Sequence, residues 1–241
     1  MKRLKKSLSK QKLENVLVPH HPILLVPGLM SSSLRVIESP YPSWVNKRVW
    51  LSVRSIGLGK VFANTEAKEL GQVTRKWIQH MVLEEDGLSD PPGVRVRPVV
   101  GLEGVKYLDP GVVSSELSYV FGPLVSHLQE IGYSRHNLAA ASYDWRLPPD
   151  HLEERDGLFT RMKAQIENMH SNCGQKTVVV AHSLGTRLVQ YFLAWVAAEE
   201  RGGHEWANTH IQTFVACGPV WLGSPKAFRS VVRSTWHSLR Y

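Results

Sequence analysis

Cysteine, long apolar runs and late carboxylates are all scarce in this 241-residue sequence, and each scarcity removes a class of protein. The two cysteines, Cys173 and Cys217, cannot build a disulfide-dense scaffold, and their spacing matches no metal site. They read as small buried or half-buried thiols without a role. The longest uncharged apolar stretch, Ile23 to Met30, falls well short of the ~20 residues a membrane span requires and contains Pro27 and Gly28. A secretory signal would place an apolar core after the basic start, whereas here Gln11-Lys12-Leu13-Glu14-Asn15 follows. Neither export nor anchoring by this chain is expected. Repeats and low-complexity tracts are also missing.

What is present is an apolar fraction of 43%, enough for one sizeable core. A formal net charge of +8 favours an anionic partner, nucleic acid or an acidic membrane surface, without choosing between them. Lys2, Arg3, Lys5, Lys6, Lys10 and Lys12 crowd a segment too poor in apolar residues to join a core, so residues 1–19 read as a basic flexible arm. Residues 20–241 read as one α/β domain. Short apolar runs alternate there with longer amphipathic stretches, the pattern of βαβ units around a mostly parallel sheet with helices on both faces.

Ile23 to Val26 predicts a strand ending at Pro27-Gly28. The stretch from 31 to 110, rich in Pro, Gly and scattered tryptophan, predicts an irregular excursion, set at about 35–110. Leu124, Leu128 and Ile131 keep helical spacing, with Gly122-Pro123 either starting that helix or kinking a longer one from near Ser115. Asn137 to Ser142 predicts a strand. Asp150 and Glu153 resemble a capping box, and Phe159, Met162, Ile166 and Met169 follow on one helical face. Thr177 to Ala181 is a β-branched run suited to a buried strand, Leu184, Leu188, Phe192, Trp195 and Val196 predict a helix directly after it, and Ile211 to Ala216 predicts a last strand.

Strand, then Ala181-His182-Ser183-Leu184-Gly185, then helix is the context a nucleophile elbow needs. The sharp turn holds the serine in strained geometry, so its neighbours two residues away must be small. Ala181 and Gly185 are, although Ala departs from the motif's Gly. Ser183 is therefore the candidate nucleophile, and the N-terminus of the following helix favours the negative charge that develops at the site. An oxyanion hole needs a second N–H besides that of Leu184, and Pro27-Gly28-Leu29-Met30 occupies the corresponding loop, with the Leu29 N–H as candidate donor. Tyr143-Asp144-Trp145-Arg146 follows a strand at the same end of the sheet, where Asp144 and Arg146 read as a structural ion pair. In this elbow architecture the acid and the base follow the serine. Beyond Ser183 the acids are Glu199, Glu200 and Glu205 and the imidazoles His204, His210 and His237, none at a strand end, and all six are expected at the surface. His182 points away from the serine in such turns.

These stretches together resemble the lecithin:cholesterol acyltransferase family, in its phospholipid:diacylglycerol acyltransferase branch. The likeness is carried by PILLVPGLMSSSL (22 to 34), PPGVRVRPVVGLEGVKYLDPG (91 to 111), ASYDWRLPPDHLEERDGLFTRMKAQIE (141 to 167), VVVAHSLGTRLVQYFLAWV (178 to 196) and GPVWLGSPKA (218 to 227). The resemblance implies an α/β-hydrolase fold and transfer of a fatty acyl group from a phospholipid to diacylglycerol or a sterol through a serine acyl-enzyme, with no cofactor or metal. It implies Ser183 as nucleophile and Leu29 and Leu184 as oxyanion donors. It places a lid and membrane-contacting part over Trp44 to Asp90, where Trp44 and Trp50 either seat at a lipid interface or serve as core aromatics. It further implies a membrane surface as partner and an endoplasmic reticulum or other endomembrane location, while the lack of any recognition motif argues against nucleic acid. Family members carry the acid and the histidine on later strands, so the chain is expected to be a C-terminally incomplete fragment, weakly active at most by itself. A phospholipase, or an inactive lipid-binding relative, are the alternatives.

Overall fold

The computed structural model describes residues 17–50, 67–109, 118–225, 227–230 and 232. The basic residues of the arm lie outside them. In chain order the elements are β1 (Ile23–Val26), β2 (Leu34–Glu38), β3 (Arg48–Trp50), α1 (Ala67–Met81), β4 (Arg95–Pro98), α2 (Gly122–Glu130), β5 (Leu138–Ala140), α3 (Pro149–Asp156), α4 (Leu158–Cys173), β6 (Thr177–His182), α5 (Leu184–Val196), α6 (Trp206–His210) and β7 (Ile211–Cys217). Four strands form a parallel sheet in the order β5-β1-β6-β7, with Leu24 opposite Ala139 on one side and Val179 on the other. No described helix is long and apolar enough to cross a membrane.

Alternation along the strands loads both faces. Leu24, Val26, Val179 and Ala181 pack with Phe159, Met162 and Ile166 of α4 and Val189 and Phe192 of α5. Ile23, Leu25, Leu138 and Ala140 pack the other way, against Val125 of α2. A strand buried on both faces has no polar side to show, which is why Thr177 to Ala181 reads as a continuous β-branched run. The result is an α/β architecture with helices on both faces of a mostly parallel sheet.

Two expectations about the secondary-structure elements need correction. The stretch expected to be irregular holds a second sheet, antiparallel in the order β3-β2-β4, and the 15-residue helix α1. Its strands are only three to five residues long, too short for a period to emerge from the surrounding turns. Val73, Trp77 and Met81 recur every fourth residue on α1 and pack on Leu34, Val36, Val49 and Val96, a periodicity the sequence does contain. The second correction concerns the helix predicted from Asp150. It is two helices, broken where Gly157 takes the left-handed conformation (φ 59°, ψ 40°). Asp150 makes no capping bond, and Glu153 instead reaches forward to accept hydrogen bonds from the Phe159 and Thr160 amides at 2.6 and 3.1 Å. Glu153 thus caps α4, not its own helix.

Candidate active site

In the four-stranded sheet the connections after β1 and β6 lead to opposite sides, to β5 and to β7, so the carboxyl ends of these two adjacent strands form the topological switch point at which open α/β sheets place their ligands. Ser183 stands there, between the last residue of β6 and the first of α5, with φ 52° and ψ −122°. A non-glycine residue held at positive φ costs on the order of 1–3 kcal/mol and persists only where its surroundings over-determine it. They do so here: the Ser183 amide donates to Cys217 O at 3.0 Å, and its carbonyl accepts from the Thr186 amide at 3.0 Å and Thr186 Oγ1 at 2.7 Å. Gly185 lets α5 approach the end of β1, because a Cβ there would stand 2.4 Å from Pro27 O and 2.6 Å from Val26 O. The Leu184 N–H is the first of α5, with no intrahelical partner.

The loop after β1 abuts the serine. A Cβ on Gly28 would lie 3.0 Å from Ser183 Cβ, so glycine permits the closest approach of the two backbones. Leu29 and Met30 follow it, both exposed, and Met30 has φ 59°. Among the described residues the N–H groups of Leu29 and Met30 have no acceptor. The sequence singled out Leu29. Met30 has one local signal, its place in Pro-Gly-Leu-Met.

Trp44 and Trp50 occupy different environments. Trp44 is a core aromatic of the small sheet, stacked on His80 with ring centres 4.8 Å apart. Trp50 is half-buried, set edge-on against Trp145, and its Nε1 donates to Met30 O at 2.8 Å. It therefore belongs to the loop beside Ser183.

Asp144 and Arg146 pair at 2.7 Å within a larger cluster. Arg155 donates to the same Asp144 oxygen at 2.6 Å, Arg146 reaches Asp90 at 2.9 Å, Arg97 pairs with Asp90 at 2.6 Å, and Arg155 with Asp156 at 2.9 Å. Burial pushes the Asp144 carboxyl up, but the hydrogen bonds and charges of Arg146 and Arg155 together outweigh it and hold the group below the usual carboxylate range. The guanidinium of Arg146 is likewise disfavoured by burial and carried above its ordinary value by Asp144 and Asp90. Arg155 and Asp90 were invisible as partners because 11 and 56 residues separate the bonded pairs.

His80 is fully buried, its Nδ1 2.6 Å from Lys76 O and its Nε2 2.9 Å from Ser39 Oγ. Burial pulls its pKa down, only partly offset by the Lys76 carbonyl. As pH falls the unfolded chain therefore takes up this proton first, and stability present above about pH 6.5 declines below it. A melting series from about pH 7 to 5 should show a shallower fall for His80→Gln than for the parent; equal slopes would remove His80 as the cause.

Of the residues after Ser183, Glu199, Glu200, His204 and Glu205 are exposed, and His237 lies outside the described residues. His210 departs from the surface expectation: it is half-buried, its Nδ1 2.9 Å from Nδ1 of His170, because α6 packs on α4. Among the described residues none hydrogen-bonds to Ser183 Oγ, and no group of three or more His, Cys, Asp or Glu is arranged to hold a metal.

Residues 47–235 match the family model described as lecithin:cholesterol acyltransferase. The chain is 32% identical to a phospholipid:diacylglycerol acyltransferase of Saccharomyces cerevisiae over 88% of its own length and 31% of that protein's. It is 32% identical to a phospholipid–sterol O-acyltransferase of Arabidopsis thaliana over 87% of this chain and 32% of that one. It is also 33% identical to a lysosomal phospholipase A and acyltransferase of Bos taurus, over 86% and 49%. The chain thus spans about a third of the length of the curated relatives it matches first.

Proposed function

This chain belongs to the lecithin:cholesterol acyltransferase family, and from that membership we propose that it carries the nucleophile and oxyanion portion of a phospholipid O-acyltransferase. The observation that carries the proposal is the turn at Ser183, a strained serine between a buried strand and a helix N-terminus. Ser183 Oγ attacks the ester carbonyl of a phospholipid and loses its proton to a base. The carbonyl oxygen becomes an oxyanion, which accepts hydrogen bonds from the Leu184 N–H and the Leu29 N–H. Collapse expels the lysophospholipid alcohol, which takes a proton, and leaves the acyl group on Ser183. The hydroxyl of a diacylglycerol or sterol then attacks this ester, releasing the acylated lipid and returning the proton to Ser183.

The substrates are membrane lipids, and the mouth of the site is apolar enough to meet them. Leu29, Met30, Trp221 and Leu222 are all exposed, on the loops after β1 and β7, at the carboxyl end of the sheet. We place this rim against a membrane surface, the endoplasmic reticulum first among the endomembranes. Asp144 and Arg146 hold the structure behind the site and take no part in the chemistry.

A second reading keeps the acyl-enzyme and lets water accept the acyl group. The half-exposed serine favours it, since transfer wins only where water is kept out. The deciding experiment supplies phosphatidylcholine labelled in its acyl chain together with diacylglycerol. Weak, Ser183-dependent label in triacylglycerol is expected of this chain by itself. Label only in free fatty acid would establish the hydrolase, and label that Ser183→Ala retains in full would defeat both readings.

A further inference from the structure

Resting on the reading of Ser183 as nucleophile, we infer that Tyr143, Trp50 and Trp145 are positioning residues, which orient the oxyanion loop by donating to its carbonyl oxygens. The Tyr143 hydroxyl donates to Pro27 O at 3.1 Å, Trp50 Nε1 to Met30 O at 2.8 Å, and Trp145 Nε1 to Ser32 O at 3.2 Å. The remaining carbonyls close locally: Gly28 O accepts from the Ser31 amide and Leu29 O from Ser31 Oγ, each at 3.2 Å. Every carbonyl from Pro27 to Met30, and that of Ser32, is therefore engaged. The N–H groups of Gly28, Leu29 and Met30, by contrast, have no acceptor among the described residues.

A planar trans peptide aims its C=O and N–H in opposite directions. Tyr143, through the Pro27 carbonyl, therefore fixes where the Gly28 N–H points; Ser31, through the Gly28 and Leu29 carbonyls, fixes the Leu29 and Met30 N–H groups; and Trp50 and Trp145, through the Met30 and Ser32 carbonyls, hold the Ser31 segment on which that local closure depends. These N–H groups are the donors of the loop that stands against Ser183. Met30 sits at φ 59°, a conformation its Cβ disfavours, and the bond from Trp50 to the Met30 carbonyl keeps the residue there.

The choice of donors suits the task. Phenol and indole are rigid groups with few rotamers, so little entropy is lost in holding them. Being neutral, they leave the field at the oxyanion to the backbone. Burial keeps the Tyr143 phenol protonated by raising its pKa well above the ordinary value. Trp50 and Trp145 meet edge to face, with ring centres 5.0 Å apart, and the Tyr143 amide donates to Ser32 Oγ at 3.1 Å. The anchors therefore brace one another and tie the small antiparallel sheet, through β3, to the site.

The test replaces each donor by a ring that lacks it, in Trp50→Phe, Tyr143→Phe and Trp145→Phe. An oxyanion donor displaced but not deleted costs less than its removal, so kcat for acyl transfer should fall about tenfold in Trp50→Phe, with KM for phospholipid unchanged within about twofold. Affinity for an alkyl trifluoromethyl ketone, which forms a tetrahedral adduct with the serine, should fall in the same proportion. Hydrogen exchange in a peptide covering residues 27–33 should accelerate, and this needs no chemistry. Unchanged kcat or unchanged loop exchange in all three variants would overturn the inference. Full turnover by Ser183→Ala would instead overturn the reading of the serine, and the exchange measurement would still judge the anchors.

Discussion

Wherever a general base serves Ser183, Ser183→Ala loses acyl transfer by about 10³-fold or more and folds as well as the parent. The size follows from the mechanism: without the hydroxyl no acyl-enzyme forms, and only ground-state positioning and oxyanion donors remain. Stability is spared because Ser183 Oγ makes no hydrogen bond among the described residues, and the turn is held by backbone bonds that alanine retains. Ser183→Gly separates strain from chemistry. Glycine adopts φ 52° freely, so this variant should be as inactive as alanine and more stable than the parent by roughly 1 kcal/mol. Both changes are readable from label transfer and a denaturant titration. A glycine variant less stable than the parent would show that the strain is not stored at this residue.

Arg146→Leu is the substitution expected to damage the fold most. The parent cluster is neutral, with Asp90, Asp144 and Asp156 against Arg97, Arg146 and Arg155, and the Arg146 side chain is only 4% exposed and that of Asp144 0%. Removing Arg146 leaves one buried carboxylate charge uncompensated, and breaking such a pair costs about 3–5 kcal/mol. For a chain of this size that corresponds to a melting temperature roughly 10 °C lower. Arg146→Leu combined with Asp144→Asn removes both signs and should recover part of the loss; a double variant worse than the sum would contradict the charge argument. Acid acts on the same cluster. Asp144 titrates below its unfolded value, so its contribution is full above about pH 4 and disappears as pH falls through the folded pKa.

The strands β1, β6 and β7 and the helix α5 lie within a residue or so of where the sequence predicts them, since each is a buried run or a clear 3.6-residue period. The small sheet was not legible. Arg35 and Arg48 face one another across β2 and β3 amid strands that carry charge, and short antiparallel strands of this kind resemble loops until their partners are known. The break at Gly157 was hidden for another reason: Glu153 and Asp150 fit a capping box locally, and the actual bond runs from Glu153 forward to Phe159.

The strands of the parallel sheet with the helix after β6, the doubly buried parallel core and the strained-turn motif around Ser183 were determined by the sequence alone, because each depends on neighbours within a turn or a strand. Which groups hold the loop that stands against that serine was decided only by tertiary structure. The bond from Tyr143 to Pro27 spans 116 residues and that from Trp145 to Ser32 spans 113. A local pattern can call for a rigid loop beside the nucleophile, but the donors that make it rigid come from distant strands, brought there by the crossover that seats β5 beside β1.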